Sequence, residues 1–304
     1  MAEALLTPLQ ALLDGVMLGA TYSLLGLGFT LVFGVLRRIN LAFGATILVG
    51  IYAGSHWHLA SGSRVVAMAL TVAGAIAAGL YVERCALRPL ASQPAVSSMI
   101  ATFAVWMQLQ EVVSLLSVSR TVPYPASAWM PSVEVGSLLI RADGLVMWSG
   151  AAVIMLALFL LLYRTRLGRA MRAVADSAEG AALMGVNVRA VGTAAFVMAS
   201  AVGGAAGALI AGSQQQVTPY FGLWATVKGL TAMLLGGAGS LPGAVLGGLV
   251  LGVVETETLA HFGGQWRDLA AYALLLLVVS WRSRAARGRL AAAPSGRAAL
   301  EDAL

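Results

Sequence analysis

The chain has 304 residues, of which 59% are hydrophobic and only 11% charged, with 35 glycines and a mean hydropathy of +0.85. A soluble domain carries about 25% charged residues, so a soluble globular class is excluded and an all-α polytopic membrane protein is expected. The net charge of +6 comes from 18 arginines and a single lysine. Nucleic acid is the usual partner of such a charge, but here the arginines sit between apolar runs and at the C-terminus, where the positive-inside rule places them in cytoplasmic loops. No nucleic-acid partner is expected. One cysteine, Cys85, and three histidines leave no material for a disulfide framework or a multi-cysteine metal site.

A membrane span takes about 20 residues, so eight or nine spans would use about 160–180 and leave only loops. Residues 1–304 are therefore read as one transmembrane domain. Met1–Gly15 has Glu3 and Asp14 but no basic residue, unlike a cleavable secretory signal. Apolar runs follow at Gln10–Leu36, Leu41–Leu59, Val65–Val82, Ala95–Val118, Leu145–Tyr163 and Val191–Gly212. Three more lie at Leu223–Leu235, Ala244–Val254 and Leu269–Trp281. Leu223–Leu235 and Ala244–Val254 are short, and read either as two tilted crossings or as one broken pair around Gly236–Gly243.

Arginine placement sets the expected sidedness. Arg37 and Arg38, Arg84 and Arg88, Arg164 to Arg189, and Arg282 to Arg289 occupy alternate connections. Placing these in the cytoplasm puts the N-terminus outside and the C-terminus inside, with about eight or nine spans and a basic cytoplasmic tail over 282–304. Four GxxxG pairs, Gly15/Gly19, Gly203/Gly207, Gly243/Gly247 and Gly248/Gly252, suit close packing of helix backbones, within one subunit rather than between two.

Residues 164–190 form a stretch too polar to cross. Leu167, Met171, Val174, Ala178 and Met184 fall near helical spacing, with Arg169, Arg172, Asp176 and Glu179 on a polar face and Gly185 ending the helix. Such a helix either lies on anionic headgroups or docks a cytoplasmic subunit.

Several groups within or beside the apolar runs are candidates for a translocation pathway. Lys228 is an ionisable group at membrane depth, though its stem could snorkel to water or pair with another helix. Asn40, Thr102 and Gln108 could hydrogen-bond a passing solute, or hold helices together. Gly237 and Gly239 belong to a segment, Gly236–Gly243, with four glycines and a proline. That composition suits irregular backbone near a pathway or gate, or a tight turn between two short spans. Glu255 and Glu257 follow the eighth run and are expected to face outer water.

No GxxxxGK[ST], HExxH, GxSxG or CxxC occurs, so no ATP, metal or nucleophile site is expected in this chain. Five segments in order carry a resemblance. They are GATYSLLGLGFTLVFGVLRRINLAFG (Gly19–Gly44), ERCALRPL (Glu83–Leu90), SSMIATFAVWMQLQ (Ser97–Gln110), RAVADSAEGAALMGVNV (Arg172–Val188) and TPYFGLWATVKGLTAMLLGGAGSLPGAVLGGLVLGVVE (Thr218–Glu255). Together they resemble the inner-membrane permeases of branched-chain amino acid ABC importers, the LivH type. The resemblance implies a bacterial inner-membrane transport subunit without its own ATPase, moving branched-chain or related hydrophobic amino acids. It implies four kinds of partner: a second homologous permease in a heterodimer, two cytoplasmic ABC ATPases that bind the ATP, a periplasmic solute-binding protein, and the lipid bilayer. It also favours ATPase docking for the 164–190 coupling loop. Two positions depart from the family pattern: Phe43 stands where a histidine is common, and Glu111 where a neutral residue is. Urea or short-chain amides are alternative solutes, and a self-sufficient secondary carrier or channel is the alternative class.

Overall fold

The computed structural model describes residues 2–91, 93–118, 120–126, 132–135 and 138–292. The last part of the expected basic tail, 293–304, lies outside the described residues. Nine apolar helices follow the nine runs: α1 (Ala2–Leu36), α2 (Phe43–Ser61), α3 (Arg64–Val82), α4 (Ala95–Leu116), α5 (Ala142–Arg164), α8 (Val188–Gln214), α9 (Phe221–Gly236), α10 (Leu241–Phe262) and α11 (Arg267–Ala292). Between α5 and α8 lie α6 (Arg166–Asp176) and α7 (Ala178–Leu183). Among the described residues, six helices are long and apolar enough to cross a membrane: α1, α3, α4, α5, α8 and α10.

The two short runs resolve as a helical hairpin. α9 has 16 residues and spans about 24 Å at 1.5 Å per residue, less than the hydrocarbon thickness. α10 runs well past the expected Ala244–Val254 at both ends, to 22 residues. Ser240 caps its N-terminus by accepting from Gly243 N at 3.2 Å, and Pro242 sits in its first turn, where a missing N–H costs nothing. At the far end the helix absorbs Glu255 and Glu257, which are not in a loop.

α1 is the hub. It packs most extensively on α10 and also on α8, α9 and α5. Gly15 and Gly19 on α1 face Gly248 and Gly252 on α10: a Cβ at Gly19 would stand 2.8 Å from Leu249 Cα, and one at Gly252 only 2.4 Å from Gly19 Cα. Only glycine permits this backbone approach, so both pairs serve packing within the chain. Behind them Tyr22, Leu24, Leu25 and Phe29 are buried. Phe43, at the start of α2, fills the gap between α1 and α8, its ring tip 2.4 Å from where a Cβ on Gly28 would lie and 2.7 Å from one on Gly203. By contrast α4 and α5 expose most of their apolar side chains, including Ile100, Phe103, Met107, Leu156 and Phe159.

The helix ends gather into two sets. At one end Arg37 donates to Ala175 O at 3.0 Å, Arg38 to Ala91 O and Gln93 O at 2.8 Å, and Arg282 to Leu234 O and Leu235 O at 3.1 and 2.8 Å. α3 runs on there through a π-helical turn, Glu83–Leu87, whose Glu83 accepts from Thr193 Oγ1 at 2.9 Å. At the other end a short antiparallel pair, β1 (Val122–Pro123) with β4 (Gln216–Val217), ties the α4–α5 connection to the end of α8. A hairpin of β2 (Val133–Val135) and β3 (Leu138–Ile140) leads into α5. Tyr124 is buried beneath β1, its hydroxyl 2.7 Å from that of Thr71, and burial pushes its phenol up to about 12.

Candidate functional site

Two regions carry the polar chemistry, one at each end of the bundle. At the arginine-rich end, the stretch expected as one helix is two. Thr165 caps α6 by accepting from Gly168 N at 3.1 Å, and Ser177 caps α7 by accepting from Gly180 N at 3.0 Å. The extended backbone at Ser177 resets the helical register. α6 buries Gly168, Met171 and Val174 against α5, α8 and α1 and exposes Arg166, Arg169 and Asp176. α7 ends in a Schellman motif: Val186 N donates to Ala181 O and Gly185 N to Ala182 O, both at 3.0 Å, with Gly185 at φ +81°. Asn187 then caps α8 by accepting from Ala190 N at 3.1 Å.

The register break changes which residues face out. Met184, expected on the apolar face with Met171 and Val174, is 86% exposed, and Leu183 beside it is 89% exposed. They form an apolar tip projecting from α7, a feature the sequence pattern did not single out. Glu179 is exposed next to it. Arg172 turns back on its own chain instead: Nη1 donates to Leu162 O, and the guanidinium lies 4.9 Å from the Tyr163 ring centre.

At the opposite end Lys228 is 1% exposed on α9, and Glu255 of α10 is fully buried, not in outer water. Lys228 Nζ donates to Glu255 Oε1 at 2.5 Å and to Asp268 Oδ1 at 2.7 Å. Arg267 Nε donates to the other Glu255 oxygen at 2.8 Å, and Arg267 Nη2 to Tyr22 Oη at 2.8 Å. Tyr22 in turn donates to Glu255 Oε2 at 2.9 Å. Two cations and two anions thus balance, with α1, α9, α10 and α11 joined through them. Lys228 does not snorkel; it pairs. A buried ion pair is tolerable only when its remaining hydrogen-bonding capacity is met, and Tyr22 and Arg267 meet that of Glu255.

The other candidates are dispersed. Asn40 and Thr102 come together around one connection: Asn40 Oδ1 accepts from Ala42 N at 3.0 Å, and Thr102 Oγ1 accepts from Leu41 N at 3.2 Å. Both side chains are buried and hold the turn into α2. Gln108 lies on the exposed side of α4, accepting from Tyr81 Oη at 2.9 Å. Gly237 and Gly239 are both in the turn between α9 and α10, at φ +101° and +89°; Gly237 lies beside Arg282, and Gly239 faces open space. That turn is at the arginine-rich end of the hairpin, so Gly236–Gly243 is a tight connection and not a break midway along a span. Lys228 lies two helical turns from Gly236, about 12 Å along α9. Glu111 is exposed on α4. Among the described residues no group of three or more His, Cys, Asp or Glu side chains could hold a metal ion.

Comparison with known proteins agrees with this architecture. The family model described as branched-chain amino acid transport system / permease component matches residues 11–279. The high-affinity branched-chain amino acid transport system permease protein LivH of Escherichia coli K12 is 34% identical over 92% of this chain and 95% of its own length. BraD of Pseudomonas aeruginosa, a permease protein of the same description, is 31% identical over 92% and 96%. Among solved structures, an ABC transporter of metal-chelate type in an inward-facing conformation shares the fold, with a TM-score of 0.50 at 14% identity over 90% of this chain and 85% of that one. A family match of this extent, running from within α1 to within α11 and including the α6–α7 element, shows that the chain belongs to the permease component family of branched-chain amino acid transport systems.

Proposed function

We propose that this chain is the membrane-spanning permease subunit of an ATP-driven importer for branched-chain or related hydrophobic amino acids. The observation that carries the reading is the match to LivH along 92% of the chain, with an amphipathic element between α5 and α8 where such a subunit needs a cytoplasmic contact. The machine contains a second, related permease, two cytoplasmic ATPases that bind and hydrolyse ATP, and a periplasmic binding protein that delivers the solute. The chain lies in the bacterial inner membrane with the arginine-rich end in the cytoplasm, which the positive-inside rule favours. Its N-terminus is then outside and its C-terminus inside.

In this reading the α6–α7 element transmits the closing of the ATPases. Its contact surface consists of the Leu183–Met184 tip with Arg169, Asp176 and Glu179 around it. Arg172 and Gly185 hold the element's shape, Arg172 by anchoring α6 to α5 and Gly185 by turning the chain into α8. Solute passes along a route to which Lys228, Asn40, Thr102, Gln108, Gly237 and Gly239 contribute by keeping the spans in register.

The test is reconstitution of the four membrane-associated subunits in proteoliposomes with the binding protein supplied. Leucine uptake that needs both ATP and the binding protein is expected. Uptake without ATP would mean a carrier, and urea or acetamide uptake in place of leucine would mean the alternative solute class.

A further inference from the structure

At the end of the bundle away from the arginine-rich connections, a recess of about 760 Å³ opens between α1, the start of α5, the end of α8 and the end of α10. Its wall carries charges of both signs, unusual for a surface between apolar helices. Asp14 comes from α1, Asp143 and the neighbouring Arg141 from the start of α5, and Arg267 from the start of α11. Asp143 is committed locally, accepting from Ser213 Oγ at 2.7 Å and from Arg141 Nη2 at 3.2 Å. Asp14 is not: among the described residues it accepts only from the Gln10 amide, at 3.3 Å. Arg267 spends Nε on Glu255 and Nη2 on Tyr22, and its Nη1 makes no hydrogen bond among the described residues. Met147, Ile210 and Leu259 add apolar lining to the same recess.

We propose that this recess is a binding site for a free α-amino acid with an aliphatic side chain. The ligand carboxylate pairs with Arg267 Nη1, its ammonium with Asp14, and its side chain lies against Met147, Ile210 and Leu259. The assignment rests on the importer reading above and adds to it a place in this chain where the solute stops. A zwitterion leaving water needs both of its charges met, since an unpaired charge in a low-dielectric recess is costly. One under-used carboxylate and one under-used guanidinium lining the same recess meet that need. A carboxylate prefers the planar fork of arginine to a lysine ammonium, and Glu255 with Tyr22 fixes that fork from behind. The volume falls within the range of small-molecule pockets. Because Arg267 shares Glu255 with Lys228, a ligand on Arg267 also touches the network that joins α9 to α10.

Cysteine protection tests the site directly. The complete complex, carrying Cys85→Ser and Leu259→Cys, is placed in nanodiscs so that both faces are open to a maleimide. Millimolar L-leucine is expected to slow labelling by about twofold once its concentration reaches the dissociation constant. Isoamylamine, which lacks the carboxylate, and 4-methylpentanoate, which lacks the ammonium, should protect far less. Adding Asp14→Asn should raise the leucine concentration needed by about tenfold while leaving the unprotected labelling rate unchanged. No protection by leucine, or equal protection by all three compounds, overturns the site, the latter pointing to an apolar groove only. Leucine uptake by the intact importer in proteoliposomes separates the two levels. Uptake without protection overturns the recess and leaves the importer reading standing; absence of uptake overturns the importer reading and the recess with it.

Discussion

Lys228 Nζ meets Glu255 Oε1 at 2.5 Å across the α9–α10 interface, with 1% and none of the two side chains exposed. Asp268 shares the lysine and Arg267 shares the glutamate, so removing each member of the pair leaves a different remainder. Glu255→Gln leaves Lys228 and Arg267 crowded with only the half-open Asp268 for compensation. Breaking a buried pair in this way costs about 3–5 kcal/mol. Lys228→Met leaves Glu255 still held by Arg267 and Tyr22, and costs nearer the value of one charged hydrogen bond, about 1.5–3 kcal/mol. Thermal unfolding in detergent should rank Glu255→Gln below Lys228→Met, with the double variant better than the sum of the two. Strictly additive losses would contradict the coupling.

The α7 tip should matter for assembly and not for folding. Leu183→Asp and Met184→Asp place charges at side chains that touch solvent, so stability should change by no more than about 0.5 kcal/mol. Both variants are expected to reach wild-type levels in the membrane yet lose ATPase co-purification or solute-stimulated hydrolysis. Gly185→Pro should have the same functional effect by another route. Proline holds φ near −65°, whereas the Schellman turn requires the positive φ found there. Normal ATPase binding by all three would reduce α6–α7 to a surface connection.

Sidedness is open to thiol labelling. After removal of Cys85, a cysteine at Ser177 should react with an impermeant maleimide only from the cytoplasm, and one at Gln265 only from outside. Both positions are exposed, at opposite ends of the bundle. The reverse pattern at both sites would invert the topology.

Glycine substitutions should divide sharply by environment. Gly19→Ala pushes a methyl toward Leu249 Cα and the carbonyls beside it, which are backbone and cannot yield. Overpacking of this kind costs about 1–3 kcal/mol. Gly34, on the same helix, has open space where its Cβ would be, and Gly34→Ala should be stabilising by about 0.5–1 kcal/mol from helix propensity alone. Equal effects from the two changes, measured by thermal unfolding in detergent, would mean that the α1–α10 contact is not close-packed.

Much of the fold was legible in advance because its causes are local. Each apolar run became a helix, since a backbone in lipid must satisfy its own hydrogen bonds. The break at Gly185 also followed from local chemistry. The end of α10 did not. Stopping that run at Val254 put Glu255 in water, although the helix continues to Phe262 and buries it. A carboxylate reads as a helix end only while its partner is unknown, and Lys228 could have been suspected as that partner.

Sequence alone was enough to assign this chain to a membrane, to place its helices, to find its basic connections, and to mark 164–190 as too polar for an apolar span. Composition, apolar run length and capping residues act within a few positions of one another, so a linear reading captures them. Tertiary structure alone decided which polar groups meet. Lys228 and Glu255 are 27 residues apart, and Tyr22 and Arg267 are 245 apart. It also decided that Asn40 and Thr102 hold one turn, that Met184 points outward once Ser177 resets the register, and that Asp14 and Arg267 line one recess. In lipid nearly every helix face is apolar, so hydrophobic periodicity carries little information about which face meets which. That choice falls to glycine contacts and buried charges, whose partners are set by the packing of helices far apart in the chain.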